Sequence, residues 1–120
     1  MRYPNLPRLK ILVDGRETGL HAFRASSFIA RMFGLLGRRP LESGEALWLD
    51  PCASVHTLGM RYPIDVVFLD RDGSVVDTRT ALAPRRLAGA RRARSVLELP
   101  PNRLAELGIA PGKRVTLEGA

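Results

Sequence analysis

Long hydrophobic runs are missing from this chain of 120 residues. Its apolar stretches are short, residues 64–69 being an example, whereas a membrane-spanning helix needs about 20 consecutive apolar residues. The N-terminal segment also lacks the continuous apolar stretch that defines a secretory signal. The sequence therefore predicts a protein without a membrane span, and we expect it in the cytoplasm.

Cysteine and lysine are also scarce. Cys52 is the only cysteine, which excludes an internal disulfide and is compatible with a reducing compartment. Only Lys10 and Lys113 accompany the 17 arginines that produce the net charge of +7. A basic chain often binds nucleic acid. Here the simultaneous abundance of Arg, Ala, Gly and Pro is typical of a GC-rich genome, so the charge is weak support for such binding.

The hydrophobic pattern predicts a β-rich domain of short strands. Asp14-Gly15 and residues 70–73 are turn sequences between apolar segments, which predicts two hairpins. Ser26 or Ser27 offers an N-cap hydroxyl before apolar residues spaced by three and four, which predicts a helix over 27–35. A shorter helix is expected over 102–107. We expect one α+β domain over residues 1–120, mainly antiparallel, with a small barrel-like sheet and one or two short helices. The predicted strands are 9–13, 19–25, 46–49, 64–69, 74–80, 95–99 and 114–117.

Five arginines lie in a segment of small residues that we interpret as an exposed crossing loop. They are Arg85, Arg86, Arg91, Arg92 and Arg94. Contacts from these side chains to phosphates would give nucleic-acid affinity that depends steeply on salt. The segment lacks the interleaved aromatic residues of single-strand binding surfaces. A solvated loop is therefore the simpler interpretation, and nucleic acid is the less favoured partner.

Thiol, imidazole and thioether groups recur at intervals of four in Cys52, His56 and Met60. Together these donors suit a soft metal such as Cu(I). Proline on both sides of the segment argues against a helix that would align them, so only a loop could gather them. Cys52 with His56 as its base would alternatively form a thiol nucleophile. The plainer interpretation is that Cys52 and Met60 fill the core and that His56 is half-buried.

An acidic residue opens the most apolar strand of the chain. Because a carboxylate there needs hydrogen bonds or a counterion, we interpret Asp65 as a structural group that binds backbone N–H groups of the loop 57–59. A place in a ligand pocket is the alternative. Trp48 is expected in the core or, alternatively, in one wall of a shallow cleft. The candidates for this cleft are Trp48, Cys52, His56, Thr57, Met60 and Asp65.

Several dispersed motifs resemble one known family. The central motif is DPCASVHTLGMRYPIDVVFLD at residues 50–70, preceded by GLLGR at 34–38 and followed by VLEL at 96–99 and a closing segment at 108–115. In this order they resemble DUF192, an uncharacterised bacterial and archaeal family, over about residues 20–117. The resemblance implies a compact β-rich domain without a known activity. The commoner family pattern has an aromatic residue and Met at the positions of His56 and Thr57, so histidine chemistry would belong to a subgroup.

A non-enzymatic binding or accessory domain is the favoured function, with residues 48–65 as its recognition surface. A soft-metal protein or thiol enzyme centred on Cys52 and His56 is the first alternative. Nucleic-acid binding through residues 85–94 is the second. The sequence indicates no particular cofactor or partner, and either a protein partner or a small ligand fits the favoured function.

Overall fold

The computed structural model describes residues 8–25, 41–57 and 60–119. The helix predicted over 27–35 lies outside these ranges. Within them, no helix is long and apolar enough to cross a membrane. The strands are β1 Arg8–Val13, β2 Arg16–Ala25, β3 Glu45–Leu49, β4 Ser54–His56, β5 Ile64–Leu69, β6 Val75–Leu82, β7 Leu87–Gly89, β8 Ser95–Leu99 and β9 Val115–Gly119, and the helix is α1 Leu104–Leu107.

Seven of the strands form one curled sheet in the order β6-β5-β8-β3-β2-β1-β9. Its neighbours pair antiparallel except for β2 and β3, which run parallel. The two ends of the sheet meet at a bridge between Ser74 and Arg114. Beside this bridge, the Val115 N–H donates to the Gly73 carbonyl at 2.8 Å. The architecture is a half-barrel of mostly antiparallel strands, as expected, but its described part is more dominated by sheet than an α+β prediction implies.

Both predicted hairpins are present. Asp14 and Gly15 join β1 to β2 with φ of 49° and 82°, and positive φ at both central residues fits a two-residue turn that follows the strand twist. Strands β5 and β6 pair as the second hairpin. In its turn, Asp70 Oδ1 accepts the N–H of Asp72 at 2.8 Å and that of Ser74 at 2.9 Å. Local turn chemistry therefore specifies both hairpins.

Strand alternation divides the hydrophobic core between the two faces of the sheet. The inner cluster contains Val75 and Val115, which come from opposite ends of the sheet, so it lies inside the curl together with Leu69. The outer cluster lies on the other face and includes Phe68, the neighbour of Leu69, and Val55 of β4. Residues adjacent in the sequence therefore serve different faces of the molecule.

Candidate functional site

The strands β4 and β7 form a separate two-stranded sheet over the outer cluster. Val55 and Ala88 pair with each other and are buried in that cluster. The next pair, His56 and Leu87, consequently points away from the core. Leu87 is 78% exposed, an exposure that no other large hydrophobic side chain of the described residues approaches. A shallow depression of about 570 Å³ lies over this sheet.

Thr57 holds the small sheet in place. Its hydroxyl donates to the Ala83 carbonyl at 2.7 Å and accepts the Arg86 N–H at 2.8 Å. Its backbone N–H donates to the Arg86 carbonyl at 2.9 Å, and its carbonyl accepts the Arg85 N–H at 3.1 Å. Thr57 is fully buried. These hydrogen bonds connect the buried Thr57 to the segment that precedes β7.

Among the described residues, the backbone of β7 is paired on one edge and open on the other. In an antiparallel pair, alternate residues bond to the partner strand and the residues between them direct their N–H and C=O groups outward. The bond from the Ala90 N–H to the Ala53 carbonyl, 3.1 Å long, sets this alternation. The backbone groups of Leu87 and Gly89 consequently face away from β4. They have no hydrogen-bond partner within the described ranges.

The arginines of the region are exposed on both sides of β7. The prediction of a crossing loop over 85–94 is wrong in one respect, because residues 87–89 form a strand paired with β4. Arg94 forms an ion pair with Asp50, with 3.4 Å between Nε and Oδ1. Arg85, Arg86, Arg91 and Arg92 have no ion pair in the described part of the chain. Since residues 83–94 include no acidic residue, this surface is strongly basic.

Cys52 and Met60 pack in the core. Met60 is buried in the outer cluster, and the partly buried Cys52 lies against the same cluster. The Cys52 thiol donates to the Ser54 carbonyl at 2.9 Å. His56 projects from the solvent side of β4, and its Nδ1 is enclosed without a hydrogen-bond partner among the described residues. The structure therefore brings Cys52 and Met60 into one cluster and directs His56 to the other side of its strand.

Metal binding stays a prediction. Over the ranges that the structure describes, no three His, Cys, Asp or Glu side chains come together in a group that could hold a metal ion. The predicted soft-metal set uses the thioether of Met60 as its third donor. The thiol-nucleophile hypothesis for Cys52 and His56 is likewise untested by this geometry.

Asp65 is fully buried on the inner face, and its carboxylate accepts four backbone hydrogen bonds. Oδ1 accepts the N–H of Ala81 at 2.7 Å and that of Asn102 at 2.9 Å. Oδ2 accepts the N–H of Arg103 at 2.7 Å and that of Leu104 at 3.1 Å. Three of these donors lie at the start of α1, whose first N–H groups have no partner within the helix. The carboxylate thus has a structural role. Two residues of the predicted loop, Leu58 and Gly59, lie outside the described ranges.

Trp48 lies on the inner face, apart from Met60 and His56. The Arg24 guanidinium is 5.2 Å from the centroid of the indole ring. The indole Nε1 is enclosed and has no hydrogen-bond partner in the described ranges. Trp48 lines a second depression of about 550 Å³. The six candidate residues therefore do not form one cleft, because the sheet separates them.

Comparison with known proteins agrees with the motif resemblance. The family model of DUF192, described as "Uncharacterized ACR", matches residues 10–117. The chain belongs to the DUF192 family. A DUF192 relative, the UPF0127 protein PF1050 of Pyrococcus furiosus, is 35% identical over 110 residues, which cover 87% of this chain and 92% of the relative. The family is one of uncharacterised function.

Two solved structures share the DUF192 fold. A protein of unknown function from Novosphingobium aromaticivorans superposes with a TM-score of 0.80 at 22% identity, covering 97% of this chain and 89% of that one. A Sinorhizobium meliloti protein described as a candidate transcription regulator gives a TM-score of 0.79 at 21% identity, covering 93% of this chain and 95% of that one. At these identities the likeness concerns the fold alone.

Leu87 is a surface residue that the sequence pattern does not predict as functional. It is the one large apolar residue in the run from Arg85 to Arg94. A lone leucine between arginines lacks the periodic apolar neighbours of a core strand. This pattern indicates that the Leu87 side chain is exposed.

Proposed function

We propose that this protein is a non-enzymatic binding domain that recognises an extended, acidic segment of a partner protein on the β4–β7 sheet. The observation that carries the proposal is the backbone edge of β7, which no described residue pairs with and which lies beside the exposed Leu87. The proposal treats the chain as one domain and places it in the cytoplasm, following the expectations from the sequence.

Strand addition is the binding mode that an open edge favours. An extended peptide can continue a sheet by pairing with the unpaired N–H and C=O groups of its edge strand. Leu87 and Gly89 present such groups outward from β7. Because β7 has only three residues, these bonds are few, and side-chain contacts must supply much of the affinity and the specificity.

Charge supports an acidic partner. Arg85 and Arg86 precede β7, and Arg91 and Arg92 follow it, so the two ends of the edge carry four guanidinium groups without an acidic neighbour in the segment. Carboxylates flanking the added strand would pair with these groups, and guanidinium binds carboxylate with two parallel hydrogen bonds. An apolar residue between the carboxylates would cover Leu87.

The test uses a fluorescein-labelled peptide in which Val alternates with Asp. We expect a saturable rise in fluorescence anisotropy when the protein is added. In the complex, the amide hydrogens of Leu87 and Gly89 should exchange more slowly, because they gain acceptors on the peptide. Leu87→Ser should weaken the affinity at least about tenfold, since burial of a leucine contributes roughly 1.5–3 kcal/mol.

The controls separate charge, apolar contact and backbone pairing. Arg86→Gln should weaken binding, whereas Arg71→Gln, which removes an exposed arginine outside this surface, should not. A peptide that alternates Val with Lys, and an Asp–Val peptide interrupted by proline, should both bind poorly. Equal binding of all three peptides would contradict the proposal. Tighter binding of a single-stranded DNA oligonucleotide that survives Leu87→Ser would assign the surface to nucleic acid instead.

A further inference from the structure

Within the described residues, helix α1 covers one end of the half-barrel and a depression lies at the other. On β5, Asp65 lies at one end beside Leu99, and Leu69 lies at the other end beside Ser95. The Asp65 carboxylate binds the start of α1, so the helix covers the first end. The depression of about 550 Å³ lies at the second end, where it is lined by Leu69, Ser95 and Trp48. Mouths of curled sheets are common ligand sites, and the volume falls in their range of about 300–1,000 Å³.

Two polar groups at this mouth have no hydrogen-bond partner among the described residues. Ser95 is only 4% exposed, it lines the depression, and its hydroxyl makes no hydrogen bond within the described residues. The alternation of β8 puts Ser95 on the same inner face as Leu97. Trp48 adds its enclosed Nε1 donor, which is also unsatisfied there. The enclosed indole N–H is a buried polar group without a partner, and such a group costs about 1–3 kcal/mol. A ligand that accepts a hydrogen bond from it would recover this loss, and the Ser95 hydroxyl could bind the same ligand.

The charges around the mouth favour an uncharged ligand. Three arginines and three aspartates line the depression: Arg71, Arg94, Arg114, Asp50, Asp70 and Asp72. The Asp50 carboxylate is already shared by two guanidinium groups, with contacts of 3.4 Å to Arg24 and to Arg94. An anionic ligand would meet the aspartates, and a cationic ligand would meet the arginines. A ligand hydroxyl both donates and accepts hydrogen bonds. It can therefore donate to a carboxylate, accept from a guanidinium or an indole N–H, and do either with the serine hydroxyl.

We infer that this mouth is a binding site for a neutral saccharide. Arg24 covers one face of the Trp48 ring. The remainder of the ring, with Leu69 and Leu117 nearby in the lining, supplies an apolar wall for the C–H face of the sugar. Ser95 and the rim side chains bind its hydroxyls. A ligand can reach the enclosed Nε1 only if a side chain at the rim moves. The three rim arginines can move in this way because their side chains are exposed. The site lies on the inner face, so it is independent of the proposed peptide surface on the outer side.

The single tryptophan makes a direct test. Its indole N–H gives one signal in a ¹⁵N–¹H correlation spectrum, and this signal can be followed while D-glucose, D-galactose, D-mannose or D-ribose is added to the full chain. We expect at least one of these sugars to shift it with a saturable dependence. Gluconate and glucosamine, which carry charges, should shift it much less.

Substitutions then locate the site. Ser95→Ala should weaken the affinity of the responding sugar about tenfold, which corresponds to about 1.4 kcal/mol. Ser54→Ala, which replaces an exposed serine of β4 outside the mouth, should leave the affinity unchanged. Trp48→Phe keeps an apolar ring, and its loss of affinity can be followed from the amide signals of Ser95 and Val115. An indole signal unmoved by every neutral sugar, a stronger response to gluconate or glucosamine, or binding indifferent to Ser95→Ala would overturn the inference.

Discussion

The four hydrogen bonds of Asp65 lead to a sharp prediction for the substitution Asp65→Asn. The side chain keeps its shape, but only one of its two terminal atoms remains an acceptor. Whichever way the amide is oriented, its NH₂ group faces two backbone N–H donors. These are Ala81 and Asn102 in one orientation, and Arg103 and Leu104 in the other. The isosteric change thus removes acceptors without creating a cavity.

The expected loss of stability follows from the two N–H groups that lose their acceptor. Each unsatisfied buried donor costs about 1–3 kcal/mol, so the pair should lower the free energy of unfolding by roughly 2–6 kcal/mol. A whole domain is typically stable by only about 5–15 kcal/mol. Asp65→Asn should therefore remove a large fraction of the total, and the start of α1 should lose order first.

Urea unfolding followed by Trp48 fluorescence measures this loss from the shift of the midpoint at constant slope. The matched control is Asp72→Asn, because Asp72 is an exposed aspartate in the turn between β5 and β6. It should change the stability by less than about 0.5 kcal/mol. A loss below about 1 kcal/mol for Asp65→Asn would refute the argument that the carboxylate is an obligatory acceptor for four donors.

Three further predictions concern the contacts that hold the sheets together. Gly73 has φ of +83°, and a Cβ there would lie 2.4 Å from the Val115 carbonyl oxygen, so Gly73→Ala should cost at least about 2 kcal/mol in urea unfolding, against little for an alanine at Gly44. Thr57→Val leaves the Arg86 N–H without its acceptor and should cost about 1–3 kcal/mol, which thermal unfolding at matched heating rates would show. The Arg114 backbone N–H, which donates to the Asp14 carboxyl, is the main cause that lowers the pKa of Asp14. A lowered folded-state pKa contributes stability above the unfolded value near 4, and this contribution is lost as the pH falls through the folded value. Asp14→Asn should therefore lessen the loss of stability between about pH 5 and pH 2, and an unchanged acid profile would contradict this assignment.

The sequence predicts those parts of the fold that local chemistry determines. The hairpin at Asp14-Gly15, the hairpin around residues 70–73, the strand 95–99 and a short helix within 102–107 are confirmed. Each is specified by neighbours in the sequence, such as a turn that needs positive φ or a run of β-branched residues. The family resemblance, which depends on motif order, is confirmed as well.

The parts that the sequence does not predict depend on distant contacts. Strand β7 has three residues between arginines, without the apolar alternation of a strand, and it forms because Thr57 binds the segment before it. The parallel pairing of β2 with β3 leaves no signature within either strand. For Asp65, burial in an apolar strand indicated that hydrogen bonds were needed. The donors near Ala81 and at α1 could not be inferred, because they lie 16 or more positions away.

The same physics explains why residues 48–65 do not make one recognition surface, although they contain all six residues predicted to form the cleft. Alternation along a strand sends successive side chains to opposite faces. Because the sheet curls, its inner face lines the depression at the mouth. Its outer face packs against the small sheet of β4 and β7. Trp48 and Asp65 consequently lie inside the curl, whereas Met60 packs outside it and His56 faces solvent beyond β4. A compact set of candidates in the sequence thus separates into two surfaces. The ligands that we propose differ accordingly: a neutral, hydroxyl-rich molecule fits the balanced charges of the mouth, and an acidic, extended peptide fits the basic edge of β7.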